Sequence, residues 1–348
     1  MEKIYYDGTK LLSMKDINGN KPELYLVTSN RTAGKTTYFV RKEINAVKKK
    51  GEKFAVLVRH GSDLKNVENR IFKDVNSLFF PDMKMTSAKG LENAFVELRL
   101  NDEPCGYAIA INNARKIKEV SHLLSDVSSI FFDEFQAMDS HYCVDEVNKL
   151  ADIHTSLARG HGEQRKYLPV YMCSNTVSII NPYFTKLGIS HRLREDTKFL
   201  RGDGFVLEQN YNESAAKAIQ KSGFARAFSS DTEDKYFKYA SQAVYLEDNK
   251  AFISKPSGRN FYKATIKYNG KNFGVREFLE NGIIYVDQNP DMTFPVKIAT
   301  TTEDHNINYV MLRRSSVFIS DLRFYFEKGV VRFENLGAKE AFLKTISY

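Results

Sequence analysis

The sequence predicts an α/β chain: a parallel-sheet domain over residues 1–205, a helical linker over 206–243 and a smaller α+β domain over 244–348. Three observations predict it. Strand-like apolar runs alternate with helix-like segments through the first 200 residues, as the strands and crossover helices of one sheet do. The loop Ser29-Asn-Arg-Thr-Ala-Gly-Lys-Thr36 stands where one such run gives way to a helix. From Val244 the pattern turns strand-rich, with Asn269-Gly270 between two alternating runs, a strong hairpin signal.

In chain order, Leu24–Val27 is a short apolar strand, followed by a helix over Lys35–Lys50 that turns Tyr38, Phe39, Ile44 and Val47 inward. Gly51 introduces the next strand, Phe54–Val58. Phe95–Leu100 and Gly106–Ile111 flank a hairpin turn at Asn101-Asp-Glu-Pro104. Val127–Phe132 and Val170–Cys173 complete the central strands, and a helix between them presents Val147, Leu150, Ala151, His154 and Leu157 on one face. The linker is polar, with Asn212 as N-cap and Gly223 as stop. Beyond it, Ala251–Ser254, Tyr262–Tyr268 and Gly282–Val286 read as strands.

Composition narrows the class. The chain carries 51 basic and 43 acidic residues, a net charge of +8, which suits a partner rich in phosphate without requiring one. Residues 1–50 hold 11 basic and 5 acidic side chains, whereas 101–150 hold 4 and 9. Three scattered cysteines, Cys105, Cys143 and Cys173, are too few for a disulfide framework or a zinc site and read as reduced, buried thiols. No apolar run approaches the ~18 residues that cross a bilayer, and the first residues lack the build of a signal peptide. A cytosolic protein without a membrane partner is expected.

Two motifs carry the chemistry. A loop between a strand and a helix, ending Gly34-Lys35-Thr36, is the setting of a nucleotide-phosphate loop. The backbone N–H groups of Ser29, Asn30, Arg31, Thr32, Ala33, Gly34 and Thr37 are candidates to cradle phosphates at the helix N-terminus. Lys35 would neutralise the β and γ phosphates of ATP, and the Thr36 hydroxyl would ligate Mg²⁺. Ser29 stands where the usual pattern has glycine. The strand Ile130–Phe132 then delivers Asp133 and Glu134 together. Asp133 suits the Mg²⁺ shell; Glu134 suits the base that polarises the attacking water, which nucleotide binding alone does not need. A third strand ends in Ser174-Asn175. In ATPases with an extra strand between the two nucleotide motifs, such an end lies beside the γ-phosphate, where Asn175 would bond the phosphate or the water.

The Ser-led loop with Arg31 four residues before Lys35 is similar to that of the terminase large subunits, the viral DNA-packaging ATPases. Ile130-Phe-Phe-Asp-Glu-Phe135 and Ser174-Asn-Thr-Val-Ser-Ile-Ile-Asn-Pro-Tyr-Phe184 closely resemble segments of the phi29-type bacteriophage packaging ATPases, as does Gly51-Glu-Lys-Phe54. The similarity covers about residues 20–190; beyond it Gly282–Asp287 and Ala299–Asp304 also look like family segments.

The resemblance implies a P-loop ATPase of the extra-strand (ASCE) type, with a C-terminal domain that is a vestige of a ribonuclease-H-type nuclease. It implies ATP-driven translocation of double-stranded DNA into a preformed head by a homo-oligomeric ring, a pentamer, docked on the portal (connector) in the host cytoplasm. A packaging RNA is a further candidate partner. Hydrolysis in that family is triggered by a neighbour's arginine, and the position resembling it is Arg159, with Arg165 as the alternative. Lys116 and Lys118 lie near a second position of a trans-acting base. Nuclease activity is not expected: Asp248, Asp287 and Asp304 have no spacing that shows convergence. Arg59, Lys65 and Arg70 are candidates for loops that grip the DNA backbone.

Overall fold

The computed structural model describes residues 5–90, 94–137, 142–159, 164–179, 181–189, 192–193, 197–223, 253–313, 315–328 and 330–347. The chain divides into two compact units, Met1–Ile189 with Leu193–Leu246, and Glu247–Tyr348 with Ser190–Arg192.

The first unit is built on a nine-stranded sheet. Its strands are β1 (Leu24–Ser29), β2 (Lys53–Val58), β3 (Met85–Lys89), β4 (Phe95–Leu100), β5 (Glu103–Ala110), β6 (Val127–Asp133), β7 (Val170–Asn175), β8 (Phe199–Gly202) and β9 (Phe205–Gln209), in the order β3-β4-β5-β2-β6-β7-β1-β9-β8. Every pairing from β5 through β9 is parallel, and antiparallel strands close both edges. Parallel strands covered on both faces read as unbroken apolar runs, which is why Phe54–Val58 and Ile130–Phe132 stand out in the sequence.

Helices cover the two faces: α1 (Thr9–Ser13), α2 (Lys35–Lys50), α3 (Val67–Phe79), α4 (Ala114–Val120), α5 (Glu146–Leu157), α6 (Pro182–Lys186) and α7 (Glu213–Gln220). Tyr25, Val27, Val56 and Phe131 pack with Phe39, Ile44 and Phe72 of α2 and α3, whereas Leu26, Leu57, Ile130 and Phe132 pack with Ile117, Leu150, Ile153 and Phe184 of α4, α5 and α6. The 35–50 helix has the predicted bounds, and Gly51, at φ 68°, closes it through its N–H to the Val47 carbonyl.

Three expectations need correction. The first domain does not stop at 205, because β9 spans that position and pairs with β1. The inward face of α5 is Glu146, Leu150, Ile153 and Leu157, and Ala151 is exposed. In the linker, Asn212 does cap α7, accepting from the Ala215 N–H, but the helix ends at Gln220, before Gly223, and residues 224–243 lie outside the described residues.

The second unit holds a five-stranded mixed sheet, β10 (Phe261–Tyr268), β11 (Lys271–Phe278), β12 (Ile283–Asp287), β13 (Lys297–Ala299) and β14 (Val331–Phe333), in the order β13-β10-β11-β12-β14. Asn269 (φ 50°) and Gly270 (φ 74°) make the predicted hairpin turn between β10 and β11. Helices α8 (Val317–Glu327) and α9 (Leu336–Ser347) flank it, with Leu322, Ala341 and Phe342 in the core beside Ile266 and Val286. The expected strand at 251–254 is reduced: 251–252 lie outside the described residues, and Ile253 makes one backbone hydrogen bond to Phe333.

Candidate nucleotide site

The ends of β1, β6 and β7 are adjacent, since β7 lies between the other two, so the polar groups at their C-terminal edge meet. The candidate phosphate loop leaves β1 and turns into α2 through Thr32 (φ 59°) and Gly34 (φ 91°), the N-cap of α2. Ser29 and Asn30 are fully buried, Ala33 is buried, and Arg31, Thr36 and Thr37 are half-buried.

Lys35 is 7% exposed, and its ammonium donates to Ser29 Oγ at 2.6 Å, to the Asn30 carbonyl at 3.3 Å and to Asn175 Oδ1 at 3.3 Å. Burial pulls its pKa down, while Cys173, Asp133 and Glu134 pull it back up. Ser29 thus has a task that glycine could not perform: its hydroxyl accepts from the lysine.

Thr36 Oγ1 donates to Asp133 Oδ2 at 2.9 Å, and Asp133 Oδ1 accepts from the Glu134 N–H at 3.0 Å and from the Cys173 thiol at 2.9 Å. A hydroxyl and a carboxylate oxygen beside a helix N-terminus are the hard oxygen donors Mg²⁺ takes, so these residues fit that ion with a bound triphosphate. Glu134 is exposed and held in left-handed backbone, φ 56°. Partial desolvation and the Asp133 charge push its carboxyl up from the ordinary range, and Arg70, Arg31 and Arg59 draw it down.

Lys35, Thr36, Asp133, Glu134 and Asn175 are therefore brought together. Arg159 and Arg165 are not: Arg159 is exposed just beyond α5, and Arg165 pairs with Glu23 ahead of β1. Lys116 and Lys118 lie exposed on α4, and Lys65 is exposed. Arg59, a candidate for DNA, is instead committed internally. Its guanidinium pairs with the fully buried Glu146 at 2.9 Å and donates to the carbonyls of Glu134 and Phe135.

Sequence reasoning missed several supports. The Tyr6 N–H bonds the Ala33 carbonyl at 2.8 Å, and Tyr5 lies so close to Gly34 that a Cβ there would come within 2.9 Å of its ring. The Asn30 side chain bonds both the N–H (2.9 Å) and the carbonyl (3.0 Å) of Asn212. Gln136 links the acidic turn to the segment after Asn175. The three cysteines are free and buried.

In the second unit, Asp287 is fully buried and paired with Arg276 at 3.0 Å and Lys255 at 3.2 Å, and Asp304 accepts from the Gly270 N–H. Asp248 lies outside the described residues. Among the described residues no helix is long and apolar enough to cross a membrane.

Comparison with known proteins agrees along the chain. The DNA packaging protein of Bacillus phage phi29 is 27% identical over 338 residues, covering 96% of this chain and 94% of that protein. That of Bacillus phage B103 is 25% identical over 93% of this chain and 95% of its own. A chain of the bacteriophage Phi-29 viral genome packaging motor assembly superposes with a TM-score of 0.61 at 24% identity, covering 99% of this chain and 100% of its own. A chain of the Phi-28 gp11 DNA packaging motor does so with a TM-score of 0.60 at 17% identity, covering 99% and 98%. These two superpositions support the fold of the whole chain. The model of the podovirus DNA encapsidation protein (Gp16) family matches residues 1–345, and the chain belongs to that family.

Proposed function

We infer that this chain is the ATP-driven motor subunit that moves double-stranded viral DNA into a preformed phage head. Membership of the encapsidation family supports the task. The observation that carries the chemistry is the meeting of Lys35, Thr36 and Asp133 with Glu134 at one edge of the sheet.

In the proposed reaction Lys35 and the N–H groups from Asn30 to Thr37 hold the phosphates of ATP. Mg²⁺, held by Thr36 and Asp133, would neutralise charge on the β and γ phosphates. Glu134 accepts the proton of a water as its oxygen bonds to the γ-phosphorus, and the bond to the β-phosphate oxygen breaks, releasing ADP and phosphate. Asn175, already bonded to the Lys35 ammonium, would stand beside the γ-phosphate that Lys35 holds and would report its loss.

The position of β7 between β1 and β6 supports the extra-strand class of P-loop ATPase. We read the second unit as a vestigial ribonuclease-H-type domain without nuclease activity, because Asp287 is neutralised by two cations rather than presented to metal ions. The motor is read as a ring, a pentamer, on the portal, with a neighbour's Arg159 or Arg165 entering each site and a packaging RNA as a further partner.

DNA-stimulated ATP hydrolysis by wild type and Glu134→Gln tests this reading. Loss of the base is expected to lower kcat by ~10²-fold or more while nucleotide still binds. Equal, slow turnover by both proteins would leave a nucleotide-binding scaffold, and the motor reading would fail.

A further inference from the structure

We propose that Gln136 is a positioning residue that clasps the Glu134 turn to the turn after Asn175, fixing the spacing between the base and the phosphate-facing amide. This rests on the ATPase reading above and deepens it.

Gln136 follows Glu134 by two residues and is 2% exposed. Its side-chain oxygen accepts two consecutive backbone N–H groups, Val177 and Ser178, each at 3.0 Å. Its own N–H donates to Ser174 Oγ at 3.3 Å, and Ser174 Oγ donates to the Asn175 carbonyl at 2.8 Å. The side-chain nitrogen has no hydrogen-bond partner among the described residues, so the amide serves here as a double acceptor.

The turn it grips is backed from behind. Asn181 Nδ2 donates to the Ser178 carbonyl at 3.0 Å, while its Oδ1 accepts from the Phe184 N–H and caps α6. Phe135 lies edge-on to Tyr183, ring centroids 5.6 Å apart. The acidic turn meets the stretch after β7 through the Phe135 ring, which lies against Tyr183 and Phe184 (5.6 and 5.9 Å between centroids), and through the Gln136 side chain, while the Phe135 N–H bonds the Cys173 carbonyl inside β7. The Phe135–Cys173 bond continues the pairing of neighbouring strands, and the ring contacts are apolar packing without a fixed register. The Gln136 clasp reaches past the end of β7, to the stretch that must follow Asn175 if Asn175 moves. Glu134 sits two peptide bonds away, in a left-handed conformation that needs its neighbours to hold it. Loss of the clasp would free the base and the amide to drift apart, and a displacement near 1 Å costs about 10²-fold in rate.

The test uses the full-length chain in the DNA-stimulated assay. Gln136→Leu keeps the bulk and removes the acceptor; Gln136→Asn keeps an amide one methylene too short to reach both N–H groups. Each is expected to lower kcat by about 10²-fold while ATP KM and fluorescent-nucleotide affinity stay within about twofold. Amide exchange at Val177 and Ser178 should quicken in both. A general loss of folded protein would instead lower active-site concentration without that local signature. If Gln136→Leu fails to fold, Gln136→Asn carries the same measurements. Wild-type kcat in the folded variants, or unchanged exchange at Val177 and Ser178, overturns the clasp. An inactive wild type would overturn the ATPase reading itself, so the two failures are distinguishable.

Discussion

Arg59 sits at the end of β2 with its side chain 13% exposed, and the carboxylate it meets, Glu146, has none of its side chain in contact with water. Three further donors and acceptors complete the cluster: Tyr183 OH donates to Glu146 Oε1 at 2.7 Å, the Cys143 N–H donates to Oε2 at 2.7 Å, and the Phe135 carbonyl accepts from Arg59. Taking two charges out of water is unfavourable, and such a pair persists because its hydrogen bonds are met. Removing one partner leaves the other buried and uncompensated. Arg59→Met is therefore expected to destabilise the protein by about 3–5 kcal/mol, read from the urea midpoint. A loss below about 1 kcal/mol would mean that water screens the pair. Because the same guanidinium holds the Glu134 carbonyl, the variant should also lose turnover in whatever fraction stays folded.

At the scale of elements, the loop between β1 and α2 and the start of α7 are joined by a rung that neither strand supplies. The β1–β9 ladder ends with the Asn210 N–H on the Thr28 carbonyl, and the Asn30 amide then mimics a peptide group and pairs with Asn212. Asn30→Ala removes both bonds at once. Amide exchange at Asn212 and Ala215 should accelerate about tenfold or more, and ATP KM should rise as the loop loosens. Unchanged protection at Asn212 would show that α7 docks without this rung. The contiguous motifs at this scale were legible in the sequence because each is a local pattern: an apolar run, then polar residues at its end. The loop, the Asp133-Glu134 pair and Asn175 could be read that way, and the parallel strands brought them together. β8 and β9 were not legible, since they are short, are split by Gly202–Gly204 and carry Arg201 and Glu208 among their apolar residues. Nor were Arg59–Glu146, Asn30–Asn212 or Gln136, where a single polar residue meets a partner far along the chain and leaves no periodicity to detect.

Within the first unit, α5 runs back along the central strands, from their C-terminal ends to their N-terminal ends. It begins at Glu146, beside Arg59 and the Glu134 turn, and spans about 18 Å over its length. It ends where the Ala158 carbonyl accepts from Lys166, whose ammonium bonds the Ser125 and Val127 carbonyls at the start of β6. Arg159 follows at that end, and Asp133 closes the other end of β6, about 20 Å away. Arg165 lies at the same N-terminal ends of the strands, paired with Glu23 just ahead of β1. At that distance neither arginine reaches Lys35 of its own chain, so the proposed role in hydrolysis requires a neighbouring copy. Arg159→Ala and Lys35→Ala should each abolish stimulated hydrolysis, since a trans arginine contributes ~10³-fold or more to turnover. Mixed in equal amounts, they should recover activity, because an intact lysine then faces an intact arginine at some interfaces. Recovery with Arg165→Ala in place of Arg159→Ala, and none with Arg159→Ala, would transfer the role to Arg165. If neither mixture recovers, both residues belong to the surface on which they lie, and the proposal of a trans arginine at either position fails.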